Sequence, residues 1–291
     1  MHGNGKKSRG SRFRHEGSGM TGLERFIEAK QAEIEALERI GEENIPLWPH
    51  DRSSFRQAIS AGKGGRIAVI AEYKRASPSR GVICESLSPE EVMRQYAAGG
   101  AAAVSVLTEE AYFHGSMHYM ERMALAMNEA GRHIPLLRKD FIFHPLQVAA
   151  TLASPASALL LIVRLTPDIR LLRQLREQAE EGGLDAVVEV FDEQDLALAR
   201  ESGARIIQVN ARNLVTLKVD RNACLKLIRA FPPEKGELWV AASGMSCHRD
   251  VQDASECGFH AVLIGSSLME NARPRDALRT IMHGEEKSHA D

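Results

Sequence analysis

Eight short apolar runs, each followed by a helix-forming stretch, constrain this chain more than any other feature. The runs lie at 67–71, 102–107, 134–138, 157–163, 185–190, 205–209, 238–242 and 260–264. The stretches at 89–98, 116–130, 145–152, 167–180, 193–201, 222–230, 249–256 and 274–282 carry apolar residues at helical spacing. Crossovers of this length between strands demand parallel pairing. Eight such units in 291 residues predict an α/β fold, a (β/α)8 TIM barrel. An open doubly wound sheet shares this periodicity, which does not report closure. Thr21-Gly22-Leu23-Glu24 opens a further helical pattern through about Arg39, with Leu23, Ile27, Ile34 and Leu37 near one face. This predicts an additional N-terminal helix packed near the mouth of the barrel. A Pro- and Trp-containing connection joins it to the first run.

Residues 20–291 read as a single barrel domain. Residues 1–19 differ: they are rich in Gly, Ser, Lys, Arg and His, and nearly lack apolar side chains. They read as a disordered extension or an expression remnant, not as a secretory signal. A net charge of −2 gives no electrostatic case for nucleic acid or membrane as a partner. No apolar run approaches the roughly 18 residues that span a bilayer. Cys84, Cys224, Cys247 and Cys257 are scattered, without metal-ligand spacing. They read as free thiols of a cytoplasmic protein.

In a barrel of this kind the active site is built at the C-terminal ends of the strands. Unusual polar residues collect there. The first run ends in Glu72 and Lys74, two residues apart and so on the same side of a strand end. A Ser77-Pro78-Ser79-Arg80-Gly81 turn follows, which continues neither a strand nor a helix. The third run ends in Lys139-Asp140, the fifth in Glu189 and the sixth in Asn210-Ala211-Arg212. The seventh and eighth end in Ser243-Gly244 and Gly265-Ser266-Ser267. Glycines at these two strands let backbone N–H groups approach an anion, and Ser266 onward could begin a short helix facing the site. Together they predict a phosphate cup. Two lysines and two glutamates at one mouth can compensate one another's charge and divide acid from base work. No cluster has metal spacing, no Gly-x-Gly-x-x-Gly follows the first strand, and Ser77 has no His–Asp partner pair.

With these residues in hand, the chain resembles the indole-3-glycerol phosphate synthase family of tryptophan biosynthesis over about residues 20–283. The specific signature runs from Ile70-Ala71-Glu72 to Ser77-Pro78-Ser79-Arg80-Gly81. Val106-Leu107-Thr108, Tyr112 to Ser116, Leu137 to Phe141 and Val188-Glu189-Val190 support it, as do Asn210 to Leu214, Ser243-Gly244-Met245 and Ile264 to Met269. The resemblance implies a phosphorylated small-molecule substrate, an anthranilate joined to an open-chain deoxyribulose 5-phosphate. Ring closure, decarboxylation and dehydration would give indole-3-glycerol phosphate, with no cofactor and no metal. It implies Lys139 as general acid, Lys74 as partner of the substrate carboxylate and Glu189 as base for dehydration. Glu72 would hold the lysines and Asn210 orient sugar hydroxyls. Phe113, Phe141 and Leu160 would wall the aromatic ring, with Ser77, Pro78, Arg212 and Ser243 also touching substrate. The phosphate would sit on Gly244, Gly265 and Ser266. Association with other enzymes of the tryptophan pathway is a further implication.

The chain departs from the family pattern at four places. Ala242 stands where the family usually carries Glu, Phe191 where it commonly has His, and Ala211 where it has a second Asn. Ser154-Pro155-Ala156 replaces a usual Gly-Ala-Asp. The last three leave Glu189, Asn210 and the strand pattern intact. Ala242 removes a carboxylate from the site. Two alternatives stay in view: a related phosphate-sugar isomerase of the same pathway and, because of Ala242, a diverged phosphate-binding paralogue that is non-catalytic or altered in specificity. Both lysines and the Ser-Pro-Ser loop argue against the isomerase.

Overall fold

The computed structural model describes residues 23–60 and 66–284. The extension at 1–19 lies outside the described residues. The N-terminal helix α1 runs Glu24–Ile40, and a second helix, α2, spans Phe55–Ser60. The first strand, β1, is Ala68–Tyr73, followed by a small hairpin of β2 (Ala76–Ser77) and β3 (Gly81–Val82). Seven further units follow: α3 Pro89–Gly99, β4 Ala103–Leu107, α4 Met117–Glu129, β5 Leu136–Ile142, α5 Pro145–Leu152, β6 Ala158–Ile162, α6 Ile169–Glu181, β7 Asp185–Val190, α7 Glu193–Ser202, β8 Ile206–Asn210, α8 Arg221–Ala230, β9 Leu238–Ala242, α9 His248–Glu256 and β10 Ala261–Ile264. A short helix α10 (Ser266–Met269) and a final helix α11 (Pro274–His283) end the described chain.

The sheet is closed, in the order β1-β10-β9-β8-β7-β6-β5-β4, and every pairing in it is parallel. Closure excludes the open sheet. Each of the eight apolar runs becomes a barrel strand, because a run buried on both faces has nowhere to sit except between a helix layer and the barrel interior. The helices begin where their caps say they should. Ser88, Asp168, Asp192 and Asp220 each accept a backbone N–H from the first turn that follows.

Two apolar clusters divide the core. One fills the space between barrel and helices, with Tyr96, Met120, Leu172 and Trp239 fully buried in it. The other fills the barrel interior and continues to Phe26 of α1 and to Phe55 and Ile59 of α2. Helix α2 was not foreseen in the connection before the first strand, since six residues are too few to show a period. It packs on β1, β4 and β9, and the Arg56 N–H donates to Asp185 Oδ2 (2.9 Å) at the start of β7. It therefore covers the N-terminal end of the barrel, opposite the mouth.

Two local expectations change. The Ser-Pro-Ser-Arg-Gly turn does continue a strand, though a minimal one: Ala76 pairs with Val82 and Ser77 with Gly81 around it. Strand β5 runs past its charged triplet to Ile142. Alternation explains this: Lys139 points into the barrel, while Arg138 and Asp140 point out beneath α1 and α5.

Candidate active site

A cavity of about 340 Å³ opens at the C-terminal ends of the barrel strands. All the candidate catalytic, substrate-binding and phosphate-binding residues line it. Glu72 and Lys74 come from β1 and the residue after it, Ser77 and Pro78 from the hairpin, and Phe113 from the connection after β4. Lys139 and Phe141 come from β5, Leu160 from β6, Glu189 from β7, Asn210 from β8 and Arg212 just beyond it. Ser243 and Gly244 follow β9, and Gly265 and Ser266 follow β10.

The charged residues form two acid–amine pairs. Lys74 Nζ donates to Glu72 Oε1 at 2.6 Å, with the carboxylate almost wholly buried. Lys139 Nζ lies 3.6 Å from Glu189 Oε2. The two lysines are thus held by different carboxylates, not both by Glu72. Glu189 is 1% exposed, and Gln208 Nε2 donates to its Oε2. Asn210 Oδ1 accepts the Arg212 backbone N–H at 2.9 Å, which turns its amide nitrogen toward donation. Burial and the charge of Arg80 make the Arg212 guanidinium easier to deprotonate than usual, while Glu72 opposes them.

The glycine-bearing loops have a clear steric reason. A Cβ on Gly265 would collide with the Glu72 carboxylate and come within 3.0 Å of Lys74 Nζ. Gly244 has φ +77°, and a Cβ there would meet Val219 at 2.8 Å. Ser243 shares the left-handed region at φ +69°, where a side chain is strained. Such strain at a loop facing a cavity is a mark of function. Helix α10 begins at Ser266, where the short helix is expected, with Gly265 as its N-cap.

Several residues of the cavity were not singled out. Phe26 of α1 stacks on Phe141, with centroids 4.1 Å apart, and extends the apolar wall. Its position on an amphipathic helix reads as ordinary core, so only the α1–mouth contact could have found it. Glu270 reaches Arg80 across the rim. Asp140, noted as a strand end without a role, is the centre of a buried network. Lys30 of α1 (3.0 Å), Arg138 Nη2 (2.9 Å) and the Thr108 hydroxyl (2.6 Å) all converge on its carboxylate. Burial would raise the Asp140 carboxyl, but Arg138 and Lys30 outweigh it and hold it at about 2. Glu109 accepts N–H groups from Ala111, Tyr112 and Phe113, which folds the loop carrying Phe113, yet burial still raises its carboxyl.

Four free cysteines lie away from this cavity. Among the described residues, no helix is long and apolar enough to cross a membrane.

A family model described as indole-3-glycerol phosphate synthase matches residues 23–281. A protein of that description from Chlorobium phaeovibrioides is 40% identical over 260 residues, covering 87% of this chain and 96% of the relative. One from Carboxydothermus hydrogenoformans is 34% identical over 272 residues, 89% and 99% of the two chains. Among solved structures, thiamine phosphate pyrophosphorylase from Pyrococcus furiosus superposes with a TM-score of 0.55 at 15% identity, over 78% of this chain and 96% of that one. The 3-hexulose-6-phosphate synthase from Salmonella typhimurium gives 0.53 at 17%, over 74% and 97%. At such identities the structural matches speak for the barrel fold alone.

Proposed function

The chain belongs to the indole-3-glycerol phosphate synthase family, and from that premise we propose how its own residues carry the reaction. It is a carboxy-lyase that converts 1-(2-carboxyphenylamino)-1-deoxyribulose 5-phosphate to indole-3-glycerol phosphate. The ring carbon bearing the carboxylate attacks the ketone carbon, and the carbonyl oxygen takes a proton. Carbon dioxide leaves and its bonding electrons restore the aromatic ring. Water then departs, as the hydroxyl takes a proton and a base removes one from the substrate.

Lys139 donates the first proton. Its amine stands beside Glu189 without a hydrogen bond to it, so a substrate oxygen can compete for the proton. Lys74, anchored on Glu72, neutralises the substrate carboxylate until it leaves. Glu189 is the base of the dehydration, and Asn210 donates to a sugar hydroxyl. Phe113, Phe141 and Leu160 hold the aromatic ring and keep water from the reacting carbons. Ser77, Pro78, Arg212 and Ser243 frame the rest of the substrate. The phosphate rests on Gly244, Gly265 and Ser266, so that the unreactive end supplies binding energy for positioning the reactive one.

The observation that carries these assignments is the meeting of two acid–amine pairs, an apolar wall and a glycine-bearing rim in one cavity. Work in the cytoplasm, as a single domain over residues 20–291 and in contact with other enzymes of tryptophan synthesis, belongs to the same proposal. Following indole-3-glycerol phosphate by its fluorescence tests it. Lys139→Met should lower turnover by about a hundredfold to ten-thousandfold, the size of a lost proton donor. The affinity for inorganic phosphate should change little. A variant keeping most of its turnover removes Lys139 from the acid role. Wild-type protein inactive at every pH would favour a binding paralogue.

A further inference from the structure

Gln208 interrupts an apolar strand with an amide that is completely buried inside the barrel. It stands directly beside Glu189 in the β7–β8 register. Its Nε2 donates to Glu189 Oε2, while its own Oε1 has no partner. Turning the amide over would set oxygen against carboxylate oxygen, so Glu189 fixes its orientation. An apolar residue of equal volume would fill the same space without stranding a buried carbonyl. Packing alone therefore gives no reason for an amide here.

The surroundings sharpen the point. Among the described residues, the one hydrogen bond to the Glu189 carboxylate comes from Gln208. Lys139 from β5 is the nearest charge, at 3.6 Å. β6 offers the apolar Leu160 and Ile162 to the same cavity, and β8 adds the neutral Asn210. Across the mouth stand the Glu72–Lys74 pair and Arg212. Beyond the end of β7, Asp192 and Asp195 are taken up by Arg164. Lys139 is also the group proposed to give up its proton, and once neutral it no longer compensates the carboxylate. A fixed neutral donor remains through the whole cycle.

We infer that Gln208 is a positioning residue for the known reaction: it holds the Glu189 carboxylate in place while Lys139 changes charge. This rests on the reading of Glu189 as the base. Hydrogen bonding to the charged form of a carboxylate favours that form, and its removal favours the neutral one.

The test is the pH dependence of kcat/KM, over about pH 5 to 9, for Gln208→Met, Gln208→Glu and Glu189→Gln. Gln208→Met keeps the bulk and loses the donor. Its acid limb should move up by about one pH unit, with activity regained at high pH and KM little changed. Gln208→Glu, which sets two carboxylates side by side, should move the limb further in the same direction. Binding of indole-3-glycerol phosphate, measured calorimetrically, reports that each variant is folded. An acid limb unmoved in Gln208→Met, or activity lost evenly at every pH, overturns the inference. Should Gln208→Met not bind product, Gln208→Glu decides by the same criterion. Glu189→Gln separates the two claims. If it retains turnover, the base is not Glu189. If it is inactive while the Gln208 variants keep the wild-type limb, the inference about Gln208 alone is wrong.

Discussion

Ala242 is the one of the four departures from the family pattern that touches the chemistry, and the structure shows where it stands. It is buried, lines the cavity and sits beside Asn210 in the β8–β9 register. A glutamate there would bring a further carboxylate to a mouth that already pairs each lysine with one. Opposite charge nearby favours a protonated lysine. Ala242→Glu should therefore shift the alkaline limb of the pH–rate profile upward, if that limb reports a catalytic amine. An unmoved limb in steady-state kinetics would show that position 242 does not communicate with the lysines. Gly265 is the opposite case, a residue whose lack of a side chain is required. Gly265→Ala forces its Cβ onto the Glu72–Lys74 pair. We expect kcat to fall about a hundredfold, the scale of an ångström's misplacement at a reacting centre, with the melting temperature much less affected. Residues such as Glu72, Lys139 and Glu189 were legible because a charge at the end of an apolar run stands out against its strand. Phe26 was not, because an apolar residue on an amphipathic helix looks the same whether it walls a cavity or fills a core. Gln208 was not, because a single sequence does not show which way a buried amide points.

At the level of elements, α1 is both a clasp and a wall. Lys30 ties it to Asp140 of β5, and Phe26 lays its ring on Phe141 of the same strand. The amphipathic pattern announced this helix and its place near the mouth, but not the charged residue buried on its inner face. Lys30 is apolar along most of its length, so its stem packs like a core residue while its amine finds the carboxylate. The Asp140 carboxyl is held at about 2, below the ordinary aspartate value of about 3.9. A depressed carboxyl contributes stability above its unfolded value and loses it as pH falls through the folded one. Denaturant unfolding should thus show stability declining between about pH 4 and pH 2. Asp140→Asn should be less stable at neutral pH, with a shallower decline in that window; an equally steep one would refute the assignment to Asp140. The run of three charges in β5 resembles a strand's end, yet the strand continues through it to Ile142. It continues because its two faces meet different partners, the cavity on one side and the α1–α5 layer on the other.

For the whole molecule, the eightfold alternation carried the architecture, and closure had to be seen. Eight parallel units favour a barrel, but an open sheet stays compatible with them until β1 is found beside β10. The plug at the far end was also hidden, for α2 is too short to display a period. Its Phe55 and Ile59 are fully buried against the barrel floor. Phe55→Ala should cost about 3–5 kcal/mol of stability, measured by denaturant unfolding. Well below the unfolding transition kcat should hold, because the floor and the mouth are opposite ends of one barrel. A large fall in kcat at full folding would mean that the two ends are mechanically coupled. Closure also has a consequence in time. Ala68 near the start of the barrel pairs with Ala261 near its end, and the cavity draws on residues from α1 through α10. A chain still emerging from the ribosome leaves β1 with an unpaired edge until the last strand is made. Such an edge invites pairing with a neighbouring chain. The synthesis of the final strand is therefore the event that both seals the sheet against aggregation and completes the walls of the site, so a truncated product loses solubility and activity together.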